Sequence, residues 1–496
     1  MSKNIMFQGT ASSVGKSILA AAFCRIFKDE GYYTAPFKSQ NMALNSFVTK
    51  DGKEMGRAQV VQAEAARIEP AVEMNPILLK PTSDVGSQVI VNGQVFKNMT
   101  AKDYFKSKPK FKNIILESYN RLDSNFDVIV LEGAGSPAEI NLRENDIVNM
   151  GMAEMVNSPV ILIGDIDKGG VFASIYGTIM LLEEKERERI KGFIINKFRG
   201  DVDILRPGIK MIEEKINKPC LGVIPYTDVQ IDDEDSVTTR FDRDNSGEIN
   251  IGVIKLPYMS NFTDFTPLEM EEDVRVKYIS HPEELESFDL IIIPGSKNTI
   301  KDMEFIINSN IDKAIYRNHR DGVPIIGICG GYQMLGHEII DPDCVESYSA
   351  RINGLSLLDI KTTMLKDKKT IQTKGRFIAE VDFFNSGGED FIHGYEIHMG
   401  ETQILEDAHY AIELDEGRMD GVVNKDGSVF GSYLHGIFDN DGFRKNIIKR
   451  IREKKGLEIK DSNLSYKDLK EREYDKLAKI VKENIDLNKI KEIMGL

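Results

Sequence analysis

The stretch "FQGTASSVGKS", residues 7–17, closes the apolar run "NIMFQG" and opens the helical pattern "GKSILAAAFCRIFKDEG". A glycine-bearing turn ending in Gly-Lys-Ser, between strand and helix, is the context of a phosphate-binding loop. Backbone N–H groups and the helix N-terminus there present positive potential to phosphate oxygens. Lys16 adds a mobile charge, and the Ser17 hydroxyl is a magnesium ligand by type. The spacing departs from the strict pattern, with five residues between Gly9 and Gly15.

Working outward, "TAPFK", "DVIVLEGAG", "PVILIGDID", "GFIINKF" and "CLGVIPY" read as buried strands separated by helical patterns. Continuous apolar strands alternating with helices predict a parallel sheet covered on both faces. Residues 232–250 are polar and acidic and break this pattern. It restarts with "INIGVIKLPYMSN", "VRVKYIS", "DLIIIPGSKNT" and "VPIIGICGG", and "RFIAEVDFF" and "SVFGSYLHGIF" read as later strands. From about residue 441 the chain is lysine-rich with spaced Ile and Leu, which predicts amphipathic helices. The expectation is an α/β protein of two doubly wound domains. An N-terminal phosphate-loop-type domain covers 1–235, a linker 236–250, a second domain 251–445 and a helical extension 446–496.

Composition narrows the function. The 496 residues are 41% hydrophobic and 29% charged, ordinary for a globular protein. A net charge of −15 argues against nucleic acid or an anionic membrane as the main partner. No run approaches the roughly 20 apolar residues of a membrane span, and the N-terminus lacks a signal-peptide pattern. Four cysteines (24, 220, 329, 344) show neither metal-ligand spacing nor a disulfide framework, which fits a reducing cytoplasm.

One of those cysteines sits in "GICGGYQMLG", residues 327–336, directly after a predicted strand. A nucleophile on such a turn is held exposed, with backbone N–H groups nearby for an oxyanion. Cys24, in an apolar helical pattern, reads instead as core, and Cys220 and Cys344 take the same default. Gly295 and Ser296 in "IIIPGSKNT" end another strand, where a backbone N–H can complete an oxyanion hole. A cysteine nucleophile needs a base, and the chain has seven histidines. His281, His319 and His409 lie in polar surroundings and read as solvated. His337 follows on the predicted helix, and His393 and His398 flank "GYEIHMG".

Several of these stretches resemble known families. Gly9, Thr10, Ser12, Gly15, Lys16 and Ser17 resemble the variant phosphate loop of the dethiobiotin synthetase-like ATPases. "LEGAGS" (131–136) is similar to that group's acidic magnesium motif, which implies Glu132 as a metal ligand beside Ser17. "PFKSQN" implies Lys38 at the transferring phosphoryl, and "NKFRGD" implies Asn196 at adenine. Glu54 and Asp165 are candidates for a further magnesium ligand. Gly-x-Cys-x-Gly-x-Gln resembles the glutamine amidotransferases of the Cys–His type. That likeness implies Cys329 as nucleophile, Gly330 as an oxyanion donor, Gln333 near the bound glutamine and His435, in "GSYLHGIF", as base, with His398 in reserve. Many such enzymes carry Glu two residues after the histidine, where this chain has Ile437. A dyad remains open, as does a carboxylate from elsewhere, such as Glu269 or Asp439.

"KSQNMALNS" (38–46), "GAGSPAEINL" (133–142) and "GDIDKGGVFAS" (164–174) resemble the cobyric acid synthase family of cobalamin biosynthesis. The likeness spans most of the chain. It implies a small-molecule corrinoid substrate, with Gln40, Asn41 and Asn45 on the substrate side; their plain reading is a turn held by side-chain to backbone bonds. It also implies ATP, magnesium and L-glutamine. The implied reaction amidates the b, d, e and g carboxylates of adenosylcobyrinic acid a,c-diamide to give adenosylcobyric acid. Two alternatives are a cobyrinic acid a,c-diamide synthase and a phosphate-loop switch scaffold without catalysis.

Overall fold

A computed structural model describes residues 2–83, 86–232, 247–346, 349–379, 381, 383–385, 391–459 and 465–496. Most of the expected linker, 236–250, falls on 233–246 and so lies outside the described residues. The chain forms two compact units. One comprises Met1–Ala43, Glu54–Glu234 and Lys470–Leu496; the other comprises Leu44–Lys53 and Asp235–Leu469.

In the first unit, the six predicted strands form one parallel sheet. Across the sheet the order is Cys220–Pro225, Ile190–Phe198, Val160–Asp165, Lys3–Gly9, Val128–Glu132 and Thr34–Phe37. The central strands are buried on both faces, which is why they read as unbroken apolar runs. The helix Lys16–Asp29 packs Leu19, Phe23 and Phe27 into the core, with the rings of Phe7 and Phe23 centred 4.6 Å apart. A smaller sheet of Gln40–Met42, Ile77–Ser83, Gly86–Val91 and Gln94–Thr100 was not foreseen. Its hairpin turns at Asn92-Gly93, both left-handed (φ 47° and 79°), a pair that suits such a turn.

The predicted C-terminal extension is not one element. Helix Asp441–Lys455 places Phe443, Ile447 and Ile451 in the second unit's core. The end of helix Tyr466–Glu483 and helix Leu487–Met494 instead place Tyr474, Leu477, Val481 and Ile490 in the first unit's core. Their apolar spacing predicts helices but not which core each one joins.

The first unit also contains a buried ion pair. Arg57 donates from Nε and Nη2 to one oxygen of Asp232, at 2.9 and 2.7 Å. The two side chains are only 8% and 2% exposed, with Glu64 as a second acid 4.0 Å from the guanidinium, so truncating the arginine takes a buried ionic partner from Asp232. Arg57→Ala is expected to cost about 3–5 kcal/mol, read as a lower denaturant midpoint. Arg57→Met combined with Asp232→Leu should recover much of the loss.

The second unit is built on a twelve-stranded sheet. Val274–Ile279, Ile249–Ile254, Leu290–Ile293, Ile325–Ile328 and Val429–Ser432 run parallel in that order. The sheet continues through antiparallel pairing into Met419–Asn424, Ala408–Leu414 and the long strands Ile360–Phe377 and Ile392–Ile404. The Ile392–Ile404 strand returns to pair with Leu434–His435. Among the described residues, no helix is long and apolar enough to cross a membrane.

Candidate active site

In the first unit the site lies at the carboxyl ends of the parallel strands, where open α/β sheets bind ligands. Residues 10–13 leave the Lys3–Gly9 strand as a partly exposed loop, and helix Lys16–Asp29 begins without a side-chain cap. Its first N–H groups are therefore available to an anion. Gly15 has φ 95°, a conformation that side chains rarely adopt, and the Asn196 amide packs where a Cβ would stand. Asn196 Nδ2 donates to the Val14 carbonyl at 2.8 Å, so this residue braces the loop. Lys16 Nζ donates to the carbonyls of Ala11 and Gly135, at 3.0 and 3.1 Å.

Glu132 is the hub of the first site and is buried. Its Oε1 accepts from Ser17 Oγ at 2.7 Å and from Lys38 Nζ at 2.9 Å. Its Oε2 accepts from Gln62 Nε2 at 2.6 Å. Ser17, Lys38 and Glu132, expected from three separate stretches, thus meet on one carboxylate. Sequence reasoning missed Gln59 and Gln62. They lie three apart on helix Arg57–Ala65, and Asn41 Nδ2 donates to Gln59 Oε1 at 3.1 Å. Two glutamines on one face of an Ala/Val-rich helix were the available signal.

The donors suit a hard cation. Ser17 and Glu132 offer oxygen ligands, and Gln62 Oε1 is buried with no hydrogen-bond partner among the described residues. Glu54 accepts from Lys80 at 2.9 Å, and Asp165 from Lys197 at 2.8 Å, so both weaker metal candidates are paired with lysines. Gln40 accepts from the Tyr104 hydroxyl at 2.6 Å. Asn45 belongs to the second unit.

In the second unit Cys329 follows strand Ile325–Ile328 and precedes the short helix Gly330–Leu335. Its φ of 52° and ψ of −106° depart from ordinary backbone, as a sharp nucleophile turn requires. A Cβ on Gly330 would stand 2.8 Å from the Ser296 backbone nitrogen, so the Ser296 N–H lies against this turn. A Cβ on Gly295 would stand 3.2 Å from His435 Cε1. Cys329, His435, Gly295, Ser296 and Gly330 therefore gather in one place. Gln333 is buried, its Nε2 donating to the Tyr433 hydroxyl at 3.2 Å and its Oε1 without a partner among the described residues.

His435 has a carboxylate partner that the sequence reading did not name, Asp264. His435 Nδ1 lies 2.7 Å from Asp264 Oδ2, and the other carboxylate oxygen accepts the Gly436 N–H at 3.1 Å. Glu269 instead accepts from Tyr278. Asp264 stands 171 residues before its histidine, so no local spacing could reveal it. Ile437, at the usual glutamate position, is fully buried core. His398 stacks on Tyr433 at 3.7 Å, and both its ring nitrogens are engaged, by Gly400 and Glu396.

Burial pulls the His435 pKa down, but the charges of Asp264 and Cys329 outweigh it and set the value at about 10. That direction favours the protonated ring. By contrast, burial pushes the thiol of Cys24, a core residue, far up. Cys220 is only half-buried, its thiol raised to about 11, and Cys344 is exposed, so the expected core placement holds for Cys24 and not for these two. Asp302 fastens the loop that carries Ser296. It accepts from Ser296 Oγ at 2.5 Å and from Tyr258 N–H at 3.1 Å, and burial lifts its pKa to about 7.

Asp264→Asn tests the dyad support. Without the carboxylate charge, burial dominates and the His435 pKa falls. The alkaline limb of glutamine hydrolysis should then move to lower pH, with kcat down about 10²-fold or more. A pH–rate profile checks both effects.

Residues 5–236 match the family model described as the CobQ/CobB/MinD/ParA nucleotide binding domain, and residues 250–443 match the CobB/CobQ-like glutamine amidotransferase domain. A nucleotide-binding domain and a glutamine amidotransferase domain on one chain define an ATP-dependent amidating ligase. The chain is 53% identical over 498 residues to the cobyric acid synthase of Clostridium botulinum (strain Loch Maree / Type A3), covering 99% of both chains. It is 52% identical over 502 residues to that of Caldanaerobacter subterraneus subsp. tengcongensis, covering 100% of this chain and 99% of the relative. It is 54% identical over 500 residues to that of Alkaliphilus metalliredigens, covering 99% of both. The chain belongs to the cobyric acid synthase family.

Proposed function

We propose that this chain amidates the b, d, e and g carboxylates of adenosylcobyrinic acid a,c-diamide, giving adenosylcobyric acid in cobalamin biosynthesis. A carboxylate is a poor acylating agent because its leaving group is oxide. Transfer of the ATP γ-phosphoryl group to a carboxylate oxygen creates an acyl phosphate, and ammonia then displaces phosphate at the acyl carbon. The protein's share of that chemistry is positioning and charge neutralisation. Gly9, Thr10, Ser12, Gly15 and Lys16 cradle the phosphates, Lys38 faces the transferring group, and Asn196 braces the loop. Ser17 and Glu132 would hold magnesium, which supplies charge neutralisation on the phosphoryl oxygens. Gln40 and Asn41 lie on the acceptor side.

Ammonia comes from glutamine. The Cys329 sulfur attacks the side-chain amide carbon, and the N–H groups of Gly330 and Ser296, with Gly295 shaping the loop, receive the oxyanion. As the C–N bond breaks, His435 gives its proton to the departing nitrogen. Water, deprotonated by the same ring, then cleaves the thioester to glutamate. Gln333 lines the glutamine pocket.

The observation that carries this reading is the Asp264–His435 pair beside Cys329, in a chain whose phosphate loop meets Lys38 on Glu132. The test is a product map of amidated positions. Amides at b, d, e and g support the proposal; amides at a and c point to the a,c-diamide synthase instead.

A further inference from the structure

Leu44–Lys53 packs in the second unit, although the chain on either side of it, through Ala43 and from Glu54, belongs to the first. Asn45 is fully buried there. Its Oδ1 accepts the Phe262 N–H at 3.2 Å, and the next N–H, of Ser46, donates to Asn261 Oδ1 at 3.2 Å. Asn261 Nδ2 donates to the Tyr395 hydroxyl at 3.1 Å, and that hydroxyl donates to the Ser46 carbonyl at 3.1 Å. The bonds form a closed ring. Phe47 and Val48 pack beside it against Tyr395.

Both ends of this ring reach His435. Asn261, left-handed at φ 53°, caps the turn Phe262–Phe265, which carries Asp264. The Tyr395 ring stacks on the imidazole, with centroids 5.3 Å apart and planes 20° apart. Asn45 Nδ2 has no hydrogen-bond partner among the described residues. A buried amide donor left unpaired costs stability, so an asparagine here needs a reason, and its acceptor on Phe262 provides one.

We infer that Asn45 is a positioning residue of the glutamine-hydrolysing site: by holding the Phe262 N–H it sets the turn that carries Asp264, and so the orientation of His435. The inference rests on the proposed glutaminase role of that site, and it moves Asn45 from the corrinoid to the nitrogen-releasing chemistry. Among the described residues, the titratable groups against the His435 imidazole are Asp264 from the turn, Cys329 from the loop before helix Gly330–Leu335 and Tyr395 from strand Ile392–Ile404.

The experiment follows glutamine hydrolysis by full-length Asn45→Ala without acceptor, across pH. We expect kcat to fall about tenfold or more, KM for glutamine to stay within about twofold, and the alkaline limb to move to lower pH as Asp264 loosens. Tyr395→Phe keeps the stacked ring but deletes the hydroxyl, and should shift kcat and the limb the same way, less far. Should Asn45→Ala not fold, Tyr395→Phe decides by the same readouts. An unchanged kcat, or a loss of kcat with the alkaline limb unmoved, overturns the inference. If the unmodified chain hydrolyses no glutamine, the glutaminase reading itself fails.

Discussion

Replacing Cys329 with serine is expected to abolish amide synthesis from glutamine while synthesis from added ammonium continues. A serine hydroxyl is a far weaker nucleophile than cysteine sulfur. The loss with glutamine should be about 10³-fold or more. The substitution exchanges a single side-chain atom, sulfur for oxygen, so the variant's fold is checked by its circular dichroism and denaturant midpoint before it is assayed. Assays of ADP release with each nitrogen source separate the outcomes. Loss of both activities in a folded variant would contradict a separate nitrogen-releasing site.

Glu132→Gln should have the opposite signature. It removes the charge on which Ser17, Lys38 and Gln62 converge. Lys38, with a side chain only 5% exposed, would lose its counter-charge, and the proposed magnesium site would lose its carboxylate. Amide formation should fall about 10³-fold with ammonium as well as with glutamine, while glutamine hydrolysis measured alone persists. Ammonium-dependent synthesis at the unmodified rate would remove Glu132 from the phosphoryl-transfer site.

Much of this was legible in the sequence because it is written locally. The six strands of the first sheet are short apolar runs, and each expected ligand follows a strand end. Glycine spacing marked both the phosphate loop and the cysteine turn. What sequence could not supply depends on pairing across distance. Asp264 reaches His435 only through the fold, and Gln62 reaches Glu132 from a helix whose pattern reads as plain core. Asn45 belongs by motif with Gln40 and Asn41, yet its packing assigns it to the second unit. The lysine-rich C-terminal helices carry apolar stripes that fit either core, and only packing decides between them.

The most direct test of the account is a time course with adenosylcobyrinic acid a,c-diamide, ATP and glutamine, following ADP, glutamate and corrinoid amide together. The account predicts that all three rise in step and that withholding ATP stops amide formation. Amide formed without ATP, or ADP and glutamate released from the complete mixture with no new amide on the corrinoid, would contradict it.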